Sequence, residues 1–233
     1  MRYLLLLIIL LAGCVGKSGE IKDQQVDITL TTSDGIKIAG TFYSSQNENP
    51  KGVILLHMLG RNRGDWNNFA RVLQDHGYSV IAIDLRGHGE SELDWKNFNS
   101  EDFNAMIKDV EVAVEYLFNS GASEIDIIGA SIGANVALNY AVLDKRVKKL
   151  VLLSPGLDYR GVNTEIAIGE YGERPILIVA SEEDEYSAQS ARVLFNRALG
   201  NKQIKIFKGA GHGTKMFSNK DLEPLLLEWL EAE

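Results

Sequence analysis

One cysteine, Cys14, stands in a chain of 233 residues, so no disulfide can close within it. Lys and Arg are scattered without a stripe, and the net charge is −8. That balance excludes nucleic acid as a partner, because phosphate binding requires a basic face. The apolar run from Leu4 to Leu11 falls short of a bilayer span, which takes roughly 20 residues. Internal repeats and low-complexity segments are absent. Histidine is scarce at four residues, so a catalytic base has few candidates.

What is present has the balance of a soluble globular protein, 45% hydrophobic and 24% charged, and the length suits one large domain. The start, "MRYLLLLIILLAGC", has a basic residue, a short apolar run and then small residues, which fits a secretory signal. Within it "LAGC" (Leu11–Cys14) resembles a prokaryotic lipobox, in which the thiol is lipidated and the chain is cut just before it. The expected division is a signal peptide over residues 1–13, a polar tether over 14–25 and a folded domain over 26–233. The protein would then sit at the cell membrane, lipid-anchored and outside the cytoplasm. An ordinary signal peptide, or a buried N-terminal strand with a chance cysteine, is the plainer alternative.

From Val26 the hydrophobic pattern predicts an antiparallel start and then alternating strands and helices. "VDITLTTSDGIKIAGTFYS" alternates around Asp34-Gly35 as a hairpin does. Continuous apolar runs predict buried strands at Gly52–Met58, Tyr78–Leu85, Ile125–Ile128, Lys149–Ser154, Pro175–Ser181 and Ile204–Gly209. Helices are expected at about Trp66–Asp75, Ser100–Gly121 (with Ser100 as N-cap), Ile132–Leu143 and Ala188–Leu199, and from about Asp221. The fold class is α/β, a doubly wound and mostly parallel sheet with antiparallel N-terminal strands. Ligands bind such sheets beyond the carboxyl ends of the strands, so the chemistry belongs in the loops there.

Those loops hold the reactive side chains. Ser131 lies in Gly129-Ala130-Ser131-Ile132-Gly133, a G-x-S-x-G between a predicted strand and a predicted helix, which is the setting of a nucleophile elbow. Bulkier residues two before or after the serine would collide across so sharp a turn. Ile132 opens the helix, and its N–H would face a developing oxyanion. A serine alcohol needs a base, and His212 in "GAGHGTKMF" follows the last strand. The base needs an orienting carboxylate. Asp184 in "SEEDEY" is the candidate, with Asp158 as its rival, and Glu182, Glu183 and Glu185 read as a solvated run.

The order Ser131, Asp184, His212 resembles that of the α/β-hydrolase family, over about Val26 to the C-terminus. "LLHMLGRNRGDW" resembles the family's oxyanion loop, with Met58 where glycine is usual, and implies Leu59 N–H as the first oxyanion donor beside Ile132 N–H. "DLRGHGES" (Asp84–Ser91) resembles the family's D-x-R-G-x-G-x-S loop, with Arg86 and His88 as structural residues. The family's usual placement of the acid favours Asp184. The resemblance implies a serine hydrolase, with a small esterase or dienelactone hydrolase as the likeness, cleaving ester-type bonds through an acyl-enzyme with no metal or organic cofactor. Thioesterase, peptidase and carbon–carbon bond hydrolase remain open, as does a tethered binding module of this fold without turnover. Residues 155–174 hold four glycines and only a short helical stretch, about Thr164 to Glu170. At most a short lid is therefore expected, and with it a preference for small or accessible acyl substrates.

Overall fold

The computed structural model describes residues 25–232. The expected signal peptide, Cys14 and nearly all of the expected tether lie outside the described residues. No helix among the described residues is long and apolar enough to cross a membrane.

The chain opens with β1 (Gln25–Thr31) and β2 (Lys37–Tyr43), paired antiparallel around the Asp34-Gly35 turn, where Gly35 takes φ 85. Next come β3 (Lys51–Leu56), α1 (Asn67–Asp75), β4 (Ser79–Ile83), α2 (Ser100–Asn104) and α3 (Ile107–Asn119). β5 (Glu124–Ala130), α4 (Ile132–Leu143) and β6 (Val147–Leu153) form the centre. A small hairpin follows, β7 (Asp158–Tyr159) with β8 (Val162–Asn163), then α5 (Ala167–Glu170). β9 (Ile176–Ser181), α6 (Glu185–Arg197), β10 (Lys202–Phe207) and α7 (Leu222–Glu231) complete the described chain.

Eight strands form one sheet in the order β1-β2-β4-β3-β5-β6-β9-β10. β1 and β2 run antiparallel to their neighbours, and the pairs from β4 to β10 are parallel. The doubly wound, mostly parallel α/β sheet expected from the strand pattern is therefore the observed fold. Alternate residues of β3 serve opposite faces. Ile54 and Leu56 join α3, α4 and α6, while Val53 and Leu55 join α1 and α7. All four are fully buried, each stabilising the fold by roughly 1.5–3 kcal/mol. From β3 the chain steps one way to β4 and then back across to β5 on the other side. This reversal puts the topological switch point at the carboxyl ends of β3 and β5, the place at which open α/β sheets bind ligands.

Two local expectations need correction. The single helix expected over Ser100–Gly121 is two helices. Its cap is Asn99, whose side chain accepts from the Glu101 and Asp102 amides while Asp102 accepts from the Asn99 amide. The break brings Asp109 of α3 beneath Arg86, where it is fully buried and accepts from Arg86 N and Nε, both at 2.8 Å. No glycine or proline marks the interruption. The segment after β6 holds the β7–β8 hairpin, with only Ala167–Glu170 helical. Two-residue strands are too short to show alternation.

Asp126 is an ionisable group inside β5, 3% exposed, and burial pushes its carboxyl up to about 7 against the pull of Lys149. The folded pKa lies above the unfolded one, so this group favours folding most below about pH 4. That contribution is lost as pH rises through 7. Asp126→Asn keeps an acceptor for the Lys149 amide, 2.9 Å away in the wild type, and removes the charge. Its Tm should exceed the wild-type value by several degrees at pH 8 and match it near pH 4. An equal gain at both pH values in a calorimetric comparison would contradict this reading.

Candidate active site

Ser131 occupies the turn from β5 into α4 with φ 54 and ψ −121, a conformation that side chains other than glycine rarely adopt. The glycines on either side explain how the turn closes. A Cβ on Gly129 would fall on the backbone of Gly133 and Ala134. A Cβ on Gly133 would stand 2.7 Å from the Leu56 and His57 carbonyl oxygens. The first turn of α4 therefore rests directly on the end of β3. Ala134, Ala137 and Ala141 are fully buried along the helix, so the approach persists down its length. Ile132 is the first residue of α4, and its N–H is one of the amides a helix leaves without an internal partner.

The loop after β3 is held by His57, which is fully buried. Its Nε2 accepts from the Leu85 amide at 2.9 Å, so its Nδ1–H donates to the Met58 carbonyl at 2.7 Å. Burial and the neighbouring His88 ring lower its pKa to about 4. The imidazole is thus a neutral bracket between the β3 and β4 loops, two residues before Leu59. Met58 turns its side chain to the opposite loop, where Gly213 has no room for a Cβ against the Met58 thioether and Ala130. The residue that replaces the usual glycine is thereby a contact between the oxyanion-type loop and the loop bearing His212.

His212 Nδ1 lies 2.6 Å from Asp184 Oδ2. Since the carboxylate only accepts, Nδ1 donates, and in the neutral ring Nε2 carries the lone pair. Glu183 was expected to be merely solvated. It is exposed, yet its carboxylate accepts from Ser181 Oγ at 2.7 Å and Gly209 N at 2.6 Å, and Ser181 Oγ accepts from Ala210 N at 3.0 Å. These bonds tie the loop of the acid to the loop of the histidine. Asp158, the rival acid, is spent in the hairpin, where its carboxylate accepts from Gly161 N at 2.8 Å. A further link joins the His212 loop to the end of β6. Ser154 (φ 50) accepts from Gly213 N at 2.9 Å.

The structure thus brings His212 and Asp184 into direct contact and packs Ala130, the residue before Ser131, against Gly213, the residue after His212. Tyr159 adjoins the histidine of this group. Its ring stands nearly perpendicular to the His212 ring with centroids 6.3 Å apart, and its hydroxyl lies 2.8 Å from Ser187 Oγ and 3.3 Å from the Ser154 carbonyl oxygen. The hairpin bearing it is clamped by α4. Fully buried Asn135 donates to the Val162 carbonyl at 2.8 Å and accepts from Gly156 N at 3.1 Å, and Asn139 donates to the Asn163 carbonyl at 2.9 Å. Two asparagines a turn apart on an otherwise apolar helix were the available signal for this clamp. Arg86 and His88 serve the Asp84–Ser91 loop: Arg86 pairs with Asp109 and Asp34, and His88 Nδ1 donates to the Arg86 carbonyl at 3.0 Å. Among the described residues no group of His, Cys, Asp and Glu is arranged to hold a metal.

A family model described as serine aminopeptidase, S33, matches residues 48–170, just over half of the chain. The chain belongs to this family. It has the α/β-hydrolase fold. Protein phosphatase methylesterase 1 of Bos taurus is 36% identical over 102 residues, 42% of this chain and 26% of that protein. The non-heme chloroperoxidase of Streptomyces lividans is 34% identical over 128 residues, 54% of this chain and 44% of that one. The chain thus spans less than half the length of these curated relatives. A Pyrococcus furiosus esterase shares the fold with a TM-score of 0.76 at 20% identity, over 89% of this chain and 91% of that one.

The His57 bracket makes a direct prediction. Imidazole nitrogen NMR should show His57 as the Nδ1–H tautomer with shifts that stay constant from about pH 5 to pH 8. A titration within that range, or the opposite tautomer, would refute the assignment.

Proposed function

We propose that this hydrolase cleaves ester-type acyl bonds of small or accessible substrates through Ser131, His212 and Asp184. The observation that carries the reading is the 2.6 Å bond between His212 and Asp184, with the His212 loop packed at Gly213 on Ala130, next to a serine strained at the β5–α4 turn. His212 Nε2 takes the Ser131 proton as Oγ attacks the carbonyl, and Asp184 stabilises the imidazolium that forms. The amides of Leu59 and Ile132 hold the oxyanion. His212 then protonates the leaving alcohol, and in the second half takes a proton from water to release the acid and restore Ser131. The reaction needs no cofactor. Support for an ester as substrate also comes from the methylesterase named among the relatives. The limited cover from residues 155–174 favours short acyl groups or exposed ends of larger molecules, since long chains need an enclosing wall.

Ser131→Ala should abolish both hydrolysis of nitrophenyl esters and labelling by a fluorophosphonate while the fold is kept. Asp184→Asn should lower kcat by about 10⁴-fold, with Asp158→Asn near wild type. Assays on short and long nitrophenyl esters with aminoacyl amides alongside separate esterase from peptidase. Undiminished turnover by Ser131→Ala would remove the mechanism, and absence of any labelling of the wild type would favour a binding module.

Cys14 is proposed as a lipid attachment site that holds the enzyme on a membrane outside the cytoplasm, on the strength of the "LAGC" stretch. A diacyl modification would anchor it stably, where one chain gives only marginal binding. Cys14→Ser should shift the protein from the membrane fraction without changing its specific activity. Native protein that retains residues 1–13 and carries no lipid mass would argue against the anchor.

A further inference from the structure

Asp65 takes no part in the steps above, yet its carboxylate joins the two loops that must act together. It lies in the short turn Arg63–Trp66, directly after the loop that follows β3. Its side chain is only 11% exposed. From its own segment it accepts Arg61 Nε at 2.9 Å on Oδ2 and Arg61 Nη2 at 2.5 Å on Oδ1. From the loop bearing His212 it accepts Thr214 Oγ1 at 3.0 Å, again on Oδ2. Arg61 lies two residues after Leu59, and Thr214 two residues after His212. The Arg61 amide closes its turn on the Met58 carbonyl, and the Lys215 amide closes another on the His212 carbonyl, each at 3.1 Å. One carboxylate oxygen is therefore shared between the segment of Leu59 and the segment of His212.

Burial alone would raise the Asp65 carboxyl, but the bonds from Arg61 and Thr214 outweigh it and hold the group below the usual carboxylate range. Asp65 is thus ionised at neutral pH, and its bonds are charge-assisted. The Thr214 hydroxyl also stands 3.9 Å from the Met58 sulfur, a weak acceptor, so its proton goes to the carboxylate. Beside this joint the Phe217 ring meets Trp66 at 5.8 Å and Phe69 at 5.0 Å. Those apolar contacts keep the turn Gly213–Ser218 on the body of the protein without giving it a direction, and the hydrogen bond to Asp65 supplies one.

We propose that Asp65 is a positioning residue: through Arg61 and Thr214 it fixes the His212 loop against the loop of the Leu59 amide, so that proton transfer and oxyanion binding share one geometry. The inference rests on the serine-hydrolase reading. Asp65 itself exchanges no proton and touches no substrate. A misplacement of about 1 Å between such groups can cost about 10²-fold in rate.

Steady-state hydrolysis of a short nitrophenyl ester by the full chain tests this, with kcat expressed per site titrated by a fluorophosphonate. Thr214→Val removes the hydroxyl at nearly constant shape and should lower kcat per site about 10- to 100-fold with KM within about twofold. Thr214→Ser keeps the hydroxyl and should restore most of the rate. Asp65→Ala should lose at least as much as Thr214→Val, and the double variant no more than Asp65→Ala, because the two changes break the same bond. A wild-type kcat per site in Thr214→Val overturns the proposal, as does an equal loss in Thr214→Ser or a loss confined to KM. Losses that multiply in the double variant overturn it as well. A wild type that is never labelled, or a Ser131→Ala variant that keeps its turnover, would instead overturn the serine-hydrolase reading itself.

Discussion

The close approach of α4 to the ends of β3 and β5 is the constraint on which the site depends. With glycine at 129 and 133, the helix start contacts the Leu56 and His57 carbonyls, and Ser131 is forced to φ 54. That geometry holds the serine, only 6% exposed, on a sharp turn at the start of a helix, where the first amides have no partner within the helix. Strain of this kind costs of order 1–3 kcal/mol and persists only when the surroundings fix it. Here the surroundings are an almost wholly buried helix and the fully buried central strands.

Several independent loops are then drawn to that point. His57 brackets the loop after β3, Ser154 receives the His212 loop, and Glu183 with Ser181 ties the acid's loop to the histidine's. Each uses a local polar bond rather than a large apolar contact. The scaffold supplies rigidity through the core, while these bonds set the relative positions of the loops. The hairpin over residues 158–163 is fixed in the same manner by Asn135 and Asn139.

The strands were legible because buried parallel strands leave continuous apolar runs, and the chain order of serine, aspartate and histidine was legible because their loops follow those runs. Helix α4 was visible through its small residues. Other features had no comparable signal. The break between α2 and α3 depends on a buried pair, Arg86 with Asp109, whose members are distant in sequence. The β7–β8 hairpin is too short for periodicity, so the sequence pattern gives no ring contact between Tyr159 and His212. Glu183 looked like one more acid in an acidic run, since its partners, Gly209 N and Ser181 Oγ, become neighbours only when β9 and β10 pair.

The central claim is that the strained serine is the nucleophile and that the two amides beside it face the oxyanion. A crystal structure of the fluorophosphonate adduct tests both at once. The phosphorus should be bonded to Ser131 Oγ, with its oxygen within hydrogen-bonding distance of the Leu59 and Ile132 amides. An adduct on any other residue, or a phosphoryl oxygen turned away from those amides, would contradict the account.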